Sequence, residues 1–123
     1  MSNILIVEDE LVLAEAYEMI LQSAGHTIRR ASDGNIALEI TQVFEPDLIL
    51  LDLLMPNLDG LGFLREYDAP KKHPKVKIII FSNLDMEKES QEAFKLGAHK
   101  YMLKAWASPK TLEQVVKDIL EEK

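Results

Sequence analysis

Leu48-Ile49-Leu50-Leu51-Asp52-Leu53-Leu54-Met55-Pro56 is the stretch whose reading decides the fold. Its first four residues are apolar without alternation, the pattern of a strand covered on both faces, and such strands belong to parallel sheets enclosed by helices. Asp52, at the end of that run, sits among apolar residues with no basic neighbour in sequence. Its charge must therefore be compensated from elsewhere in the fold.

Similar short runs recur outward from this one: Ile4-Leu5-Ile6-Val7, Ile78-Ile79-Ile80-Phe81 and Tyr101-Met102-Leu103. A weaker run, Thr27-Ile28-Arg29-Arg30-Ala31, has polar residues inside and reads as an edge strand. Helical patterns lie between them. From Leu11 to Ala24, Leu13, Ala16, Tyr17, Ile20, Leu21 and Ala24 recur at three-and-four spacing, and Gly25 stops the helix. Asp33-Gly34 opens a second helix that runs through Phe44 and is ended by Pro46. Asp59 is placed to cap a third with Leu61, Leu64 and Tyr67 inward, closed by Pro70. A fourth spans Glu87 to Leu96 and stops at Gly97, and Ser108-Pro109 opens a fifth with Leu112, Val115, Val116, Ile119 and Leu120 inward. Five strands alternating with five helices imply a mostly parallel sheet with helices on both faces. In 123 residues this suits a flavodoxin-like, doubly wound α/β fold, with 1–123 as one domain.

Composition narrows the function. The chain has 14 Lys plus Arg against 21 Asp plus Glu, and its basic residues gather only at Lys71, Lys72, Lys75 and Lys77, which read as a solvated loop. Nucleic acid is therefore not expected as a direct ligand, since affinity there rests on neutralising phosphates. There is no cysteine, which excludes disulfides, thiolate metal sites and Cys nucleophiles. His26, His73 and His99 show no metal-ligand spacing. No apolar run approaches the roughly 20 residues of a membrane span, and the N-terminal residues lead straight into a strand-like run without the pattern of a secretory signal. The expected compartment is the cytoplasm.

In a doubly wound sheet of order 2-1-3-4-5, the crevice lies between the carboxyl ends of strands one and three. The first strand ends in Glu8-Asp9-Glu10 and the third in Asp52, so two or three carboxylates converge there. Two unit charges about 4 Å apart repel by roughly 4 kcal/mol at an effective dielectric near 20, so such a cluster requires a cation. All-oxygen ligation with open positions suits Mg²⁺. Lys104 ends the fifth strand and Ser82 the fourth, adding an ammonium and a hydroxyl at the same rim. A nucleophilic carboxylate, metal ligands, a hydroxyl donor and a cation together predict an aspartyl-phosphate site at Asp52.

These residues, in this order and spacing, resemble the receiver domains of two-component response regulators. The likeness covers the whole chain, from the acid pair after Ile4-Leu5-Ile6-Val7 through Leu51-Asp52-Leu53-Leu54-Met55-Pro56 with Asp59-Gly60, to Ser82 and Tyr101-Met102-Leu103-Lys104. The resemblance implies the strand order 2-1-3-4-5 and phosphorylation of Asp52 by a histidine kinase or phosphotransfer protein. It implies Asp9 as a direct Mg²⁺ ligand, Glu8 acting through water, and Asp52 and the Leu54 carbonyl as further ligands. Ser82 would hydrogen-bond the phosphoryl group, Lys104 would pair with it, and Tyr101 would be the aromatic that reports the switch. The output surface would comprise Met86 to Leu96, Tyr101, Trp106 and the outer face of the last helix, engaging an effector protein or a fused output domain. A dimer formed on phosphorylation is compatible with this. The kinase-docking face would lie at Leu11, Ala14, Glu15 and Glu18. Such a domain is not an enzyme beyond promoting its own phosphotransfer and dephosphorylation.

Three departures bear on the site. Ala105 stands where the family usually has proline, often after a cis bond; Asn83 stands where a small residue is usual; and Leu54 and Leu84 are apolar where side chains that orient water would speed loss of the phosphoryl group. Slow autodephosphorylation is expected. Two rival readings remain: a degenerate receiver that is never phosphorylated and acts as an interaction module, and a Mg²⁺-dependent aspartyl-phosphate phosphohydrolase. The latter would carry a second Asp two residues after the nucleophile, where Leu54 stands. A flavodoxin-type cofactor protein would need a phosphate loop rich in Ser, Thr and Gly after the first strand, which is not there.

Overall fold

The computed structural model describes residues 2–82, 86–106 and 108–122, with only the backbone described for Ser82 and Trp106. The elements are β1 (Asn3–Val7), α1 (Leu11–Ser23), β2 (Thr27–Ala31), α2 (Gly34–Ile40), β3 (Leu48–Asp52), α3 (Gly60–Tyr67), β4 (Lys77–Ser82), α4 (Glu87–Lys95), β5 (Lys100–Leu103) and α5 (Pro109–Glu121). A single helical turn, Ala69–Lys72, follows α3, and a 3₁₀ turn, Lys104–Trp106, follows β5. All strand pairs are parallel and the order is β2-β1-β3-β4-β5, as expected.

Alternate residues of the central strands feed two cores. Leu5, Val7, Ile49, Leu51, Ile78 and Ile80 pack under Ala37 of α2, Phe63, Leu64 and Tyr67 of α3, and Ala93 of α4. Ile4, Ile6, Leu48, Leu50, Ile79 and Phe81 pack under Ala14, Tyr17 and Leu21 of α1, and Leu112, Val116 and Ile119 of α5. Every residue of β3 is buried, which is why that run shows no polar alternation. β2 forms one edge and exposes Thr27, Arg29 and Arg30.

Caps set the helix starts. Asp59 accepts from the Gly62 N–H at 2.8 Å, and Ser108 from the Thr111 N–H at 3.3 Å. Two boundaries and one face differ from expectation. α2 stops at Ile40 because the Thr41 hydroxyl bonds Leu38 O, and the N–H groups of Gln42 and Val43 turn to acceptors three residues back. α3 is ended not by Pro70 but by Asp68, in the left-handed region at φ 52°; Pro70 falls in the first turn of the next short helix, where its missing N–H leaves nothing unmet. In α1, Ala14 rather than Ala16 faces the sheet, and Ala24 is exposed. A methyl group is too small for the pattern of apolar residues to tell its two faces apart.

Candidate functional site

The register that pairs Val7 with Leu51 carries Glu8 and Asp52 side by side off the ends of β1 and β3. Both are 3% exposed, whereas Asp9, one step further on, is exposed. One carboxylate oxygen from each of Glu8, Asp9 and Asp52 lies within 4.8 Å of the others, the one such cluster among the described residues. The acids expected to converge therefore do so.

Lys104 reaches them from the far side of β4. Its Nζ stands 3.0 Å from Asp52 Oδ2, 3.1 Å from Glu8 Oε1 and 3.4 Å from Glu8 Oε2. The approach is made with Ala105 in place of proline and with no cis peptide bond among the described residues. Asp52 Oδ1 accepts the Leu54 N–H, and Glu8 Oε2 the Glu10 N–H, each at 3.2 Å. Glu8 Oε1 is buried and close to the ammonium, yet no donor points along a hydrogen-bonding direction to it.

Three carboxylates face one ammonium, so full ionisation leaves two negative charges uncompensated. Burial first, and then the charge and hydrogen bonding of Asp52, push Glu8 up from 4.5 to about 7, against the pull of Lys104. For Lys104, burial acts downward, but the hydrogen bond and charge of Asp52 and the charge of Glu8 outweigh it, and the net shift is upward. Three converging hard carboxylates with one ammonium to offset them fit a small divalent cation such as Mg²⁺.

Leu54 is exposed and its backbone N–H is committed to Asp52. The backbone of Ser82 closes β4 opposite Leu103, at the same rim. Its side chain, Asn83, Leu84 and the Trp106 side chain lie outside the described residues. Tyr101 is 44% exposed and meets the half-exposed ring of Phe94 edge-on, with centroids 6.5 Å apart. Met86, expected at the output surface, is buried in the core. On α1, Leu11 and Glu15 are exposed, Glu18 pairs with Arg30 at 3.0 Å, and Ala14, buried against the sheet, forms part of the floor of the groove beside them. A groove of about 510 Å³ lined by Glu8, Asp9, Leu11, Glu18, Arg30 and Ile36 opens beside the acids.

Asp33 was expected only to cap a helix. It accepts the Ile36 N–H at 2.9 Å and also the Asn57 side-chain amide at 2.7 Å. The one sign of Asn57 in sequence is an asparagine after Pro56, a residue type that tolerates left-handed turns.

A five-stranded, doubly wound sheet with three acids and a lysine at the carboxyl ends of its strands defines a receiver-type signalling domain. Residues 4–117 match the model of the response regulator receiver domain family, and the chain belongs to that family, a component of two-component signalling. It is 35% identical over 118 residues to the probable transcriptional regulator ycf27 of Cyanophora paradoxa, covering 96% of this chain and 48% of that protein. The match to the Guillardia theta protein of the same name is also 35% identical, covering 45% of it. The chain thus spans about half the length of these curated relatives. Among solved structures, Vibrio cholerae chemotaxis protein CheY4 superposes with a TM-score of 0.88 at 25% identity, covering 97% of this chain and 98% of that one. A putative response regulator from Chloroflexus aurantiacus gives 0.87 at 29% identity, with 98% of both chains covered. Receiver domains generally bind Mg²⁺, and the family implies histidine kinase partners and effector outputs.

Proposed function

We propose that residues 1–123 act as a phosphoacceptor receiver in which Asp52 takes a phosphoryl group from a phosphohistidine donor and so switches a protein-binding surface. The observation that carries this reading is the Asp52 carboxylate, buried beside Glu8 and Asp9 and held by Lys104 at 3.0 Å. An Asp52 oxygen attacks phosphorus, a P–O bond forms as the P–N bond breaks, and the departing imidazole nitrogen keeps the electron pair and takes a proton from water. Lys104 follows the phosphoryl oxygens as they transfer and neutralises part of their charge. Mg²⁺, held by Glu8, Asp9, Asp52 and the Leu54 carbonyl, would neutralise more of that charge and orient the group. Leu54 is apolar and cannot orient an attacking water, which favours slow hydrolysis.

The switch consists of Ser82 drawn toward the phosphoryl group and Tyr101 moving behind it, which re-packs α4, β5 and α5. The exposed Phe94–Tyr101 pair supports an output surface there. The groove beside α1 is where a phosphodonor would dock. Among the described residues no helix is long and apolar enough to cross a membrane, and the cytoplasm, where histidine kinases present their phosphoryl groups, is the proposed site of action. Incubation with acetyl phosphate and Mg²⁺ followed by intact mass tests the reading. One added phosphoryl on wild type and none on Asp52→Asn is expected; no labelling, or equal labelling of both, refutes it.

A further inference from the structure

Asp33 uses its two oxygens for different purposes. Oδ1 accepts the Ile36 N–H and caps α2, while Oδ2 accepts the Asn57 amide from a loop 24 residues further on. Only 6% of Asp33 is exposed, and none of the ion pairs among the described residues includes it. These donors, Ile36 before Asn57, hold its pKa below the ordinary carboxylate value. A cap alone needs one oxygen, which serine supplies equally well. Beside it the Gly34 N–H donates to Leu58 O at 2.8 Å, and a Cβ on Gly34 would stand 2.6 Å from that oxygen. The loop is thus pressed onto the start of α2.

Met55 packs against the core and the Gly34 N–H holds Leu58 O, but the residues between them have no other anchor than Asp33 among the described residues. Leu54, Pro56, Asn57 and Asp59 are exposed, and Asn57 is left-handed at φ 64°, a conformation asparagine accepts and one that turns the chain sharply at this point. The loop starts where the Leu54 N–H meets Asp52 Oδ1 and closes where the Gly60 N–H meets Leu53 O, each at 3.2 Å. Its apex is tied down through Asp33.

We propose that Asp33 and Asn57 form a clamp of two positioning residues that fixes the loop carrying Leu54, and thereby sets the affinity of the Asp52 crevice for a divalent cation. This rests on reading that crevice as a Mg²⁺ site. Neither residue touches the reacting atoms; both act through the Leu54 backbone. Partners outside the ligand set typically change metal affinity by about 10- to 100-fold, and the lower end is expected for a clamp on an exposed loop.

The test measures the Mg²⁺ dissociation constant by calorimetry and the metal-free melting temperature of the full chain. The variants are Asp33→Ser, which keeps a capping oxygen but cannot reach Asn57; Asn57→Gly, which keeps the left-handed backbone without the amide; their combination; and Asp33→Asn. Each of the first two should weaken Mg²⁺ about tenfold and shift melting by only a few degrees. The double variant should be no weaker than either, since both remove the same interaction. Asp33→Asn, with the Asn57 amide turned over, should stay within about threefold of wild type, because it can still cap and still clamp. Affinities within about twofold of wild type in both single variants, or losses that add in the double, overturn the clamp. A wild type that binds no Mg²⁺ at millimolar concentration overturns the parent reading and the clamp with it.

Discussion

Replacing Glu8 by glutamine should stabilise the metal-free protein at about pH 8 and leave it nearly unchanged near pH 4, a sign that follows from linkage. The unfolded chain gives up the Glu8 proton near 4.5 and the folded chain near 7. Between those values the folded state binds more protons, so its stability falls as pH rises through the window and stays low above it. The interval from 4.5 to about 7 corresponds to about 3 kcal/mol. Glu8 is 3% exposed, so solvent screening removes little of this. Glutamine has the same shape, carries no charge and leaves the Lys104–Asp52 pair intact. A gain of about 3 kcal/mol is expected at the higher pH, a figure in which the attraction to Lys104 is already counted, because that attraction is part of the balance that sets Glu8 near 7. The assay is urea unfolding in EDTA at both pH values, with an unchanged slope as the check that only stability moved. If Glu8→Gln is less stable than wild type at the higher pH, or gains equally at both, burial and the neighbouring Asp52 are not what raise Glu8.

The same proton should appear in metal binding. Mg²⁺ needs Glu8 ionised, so affinity should climb until about pH 7 and then level, with close to one proton released per ion near pH 6 and none near pH 8.5; calorimetry in buffers of different ionisation enthalpy reads this directly. Lys104→Ala leaves Asp52 and Glu8 facing each other without a cation and should cost about 3 kcal/mol at about pH 8, a loss that is smaller below about pH 7, where Glu8 carries a proton, measured by the same urea curves. Gly34→Ala would drive a methyl to 2.6 Å from Leu58 O. It should cost about 1 to 3 kcal/mol, seen as a lower melting temperature, because a backbone carbonyl cannot move aside as a side chain can.

The strands and helix starts could be read along the chain because their causes are local. An unbroken apolar run means burial on both faces, and Asp33, Asp59 and Ser108 announce helix starts through the hydrogen bonds a short side chain can make to the next turn. Helix ends are less legible. Phe44 and Pro70 look like boundaries in sequence, but the chain turns earlier, at Thr41 and Asp68, where side-chain and backbone bonding decide between continuing and stopping. Burial of small or flexible residues was also not legible. Ala14 and Met86 go inside because of what packs over them.

The acids, the lysine and their places at strand ends could be written down from the sequence alone, since they depend only on where strands stop. How they charge one another depended on tertiary structure. Lys104 meets Asp52 across 52 residues and Asp33 meets Asn57 across 24. Coulomb energy and hydrogen bonding fall off over a few ångströms of space and take no account of distance along the chain. The upward shift of Glu8 and the Asp33–Asn57 hydrogen bond therefore arise only once the sheet has brought those ends together.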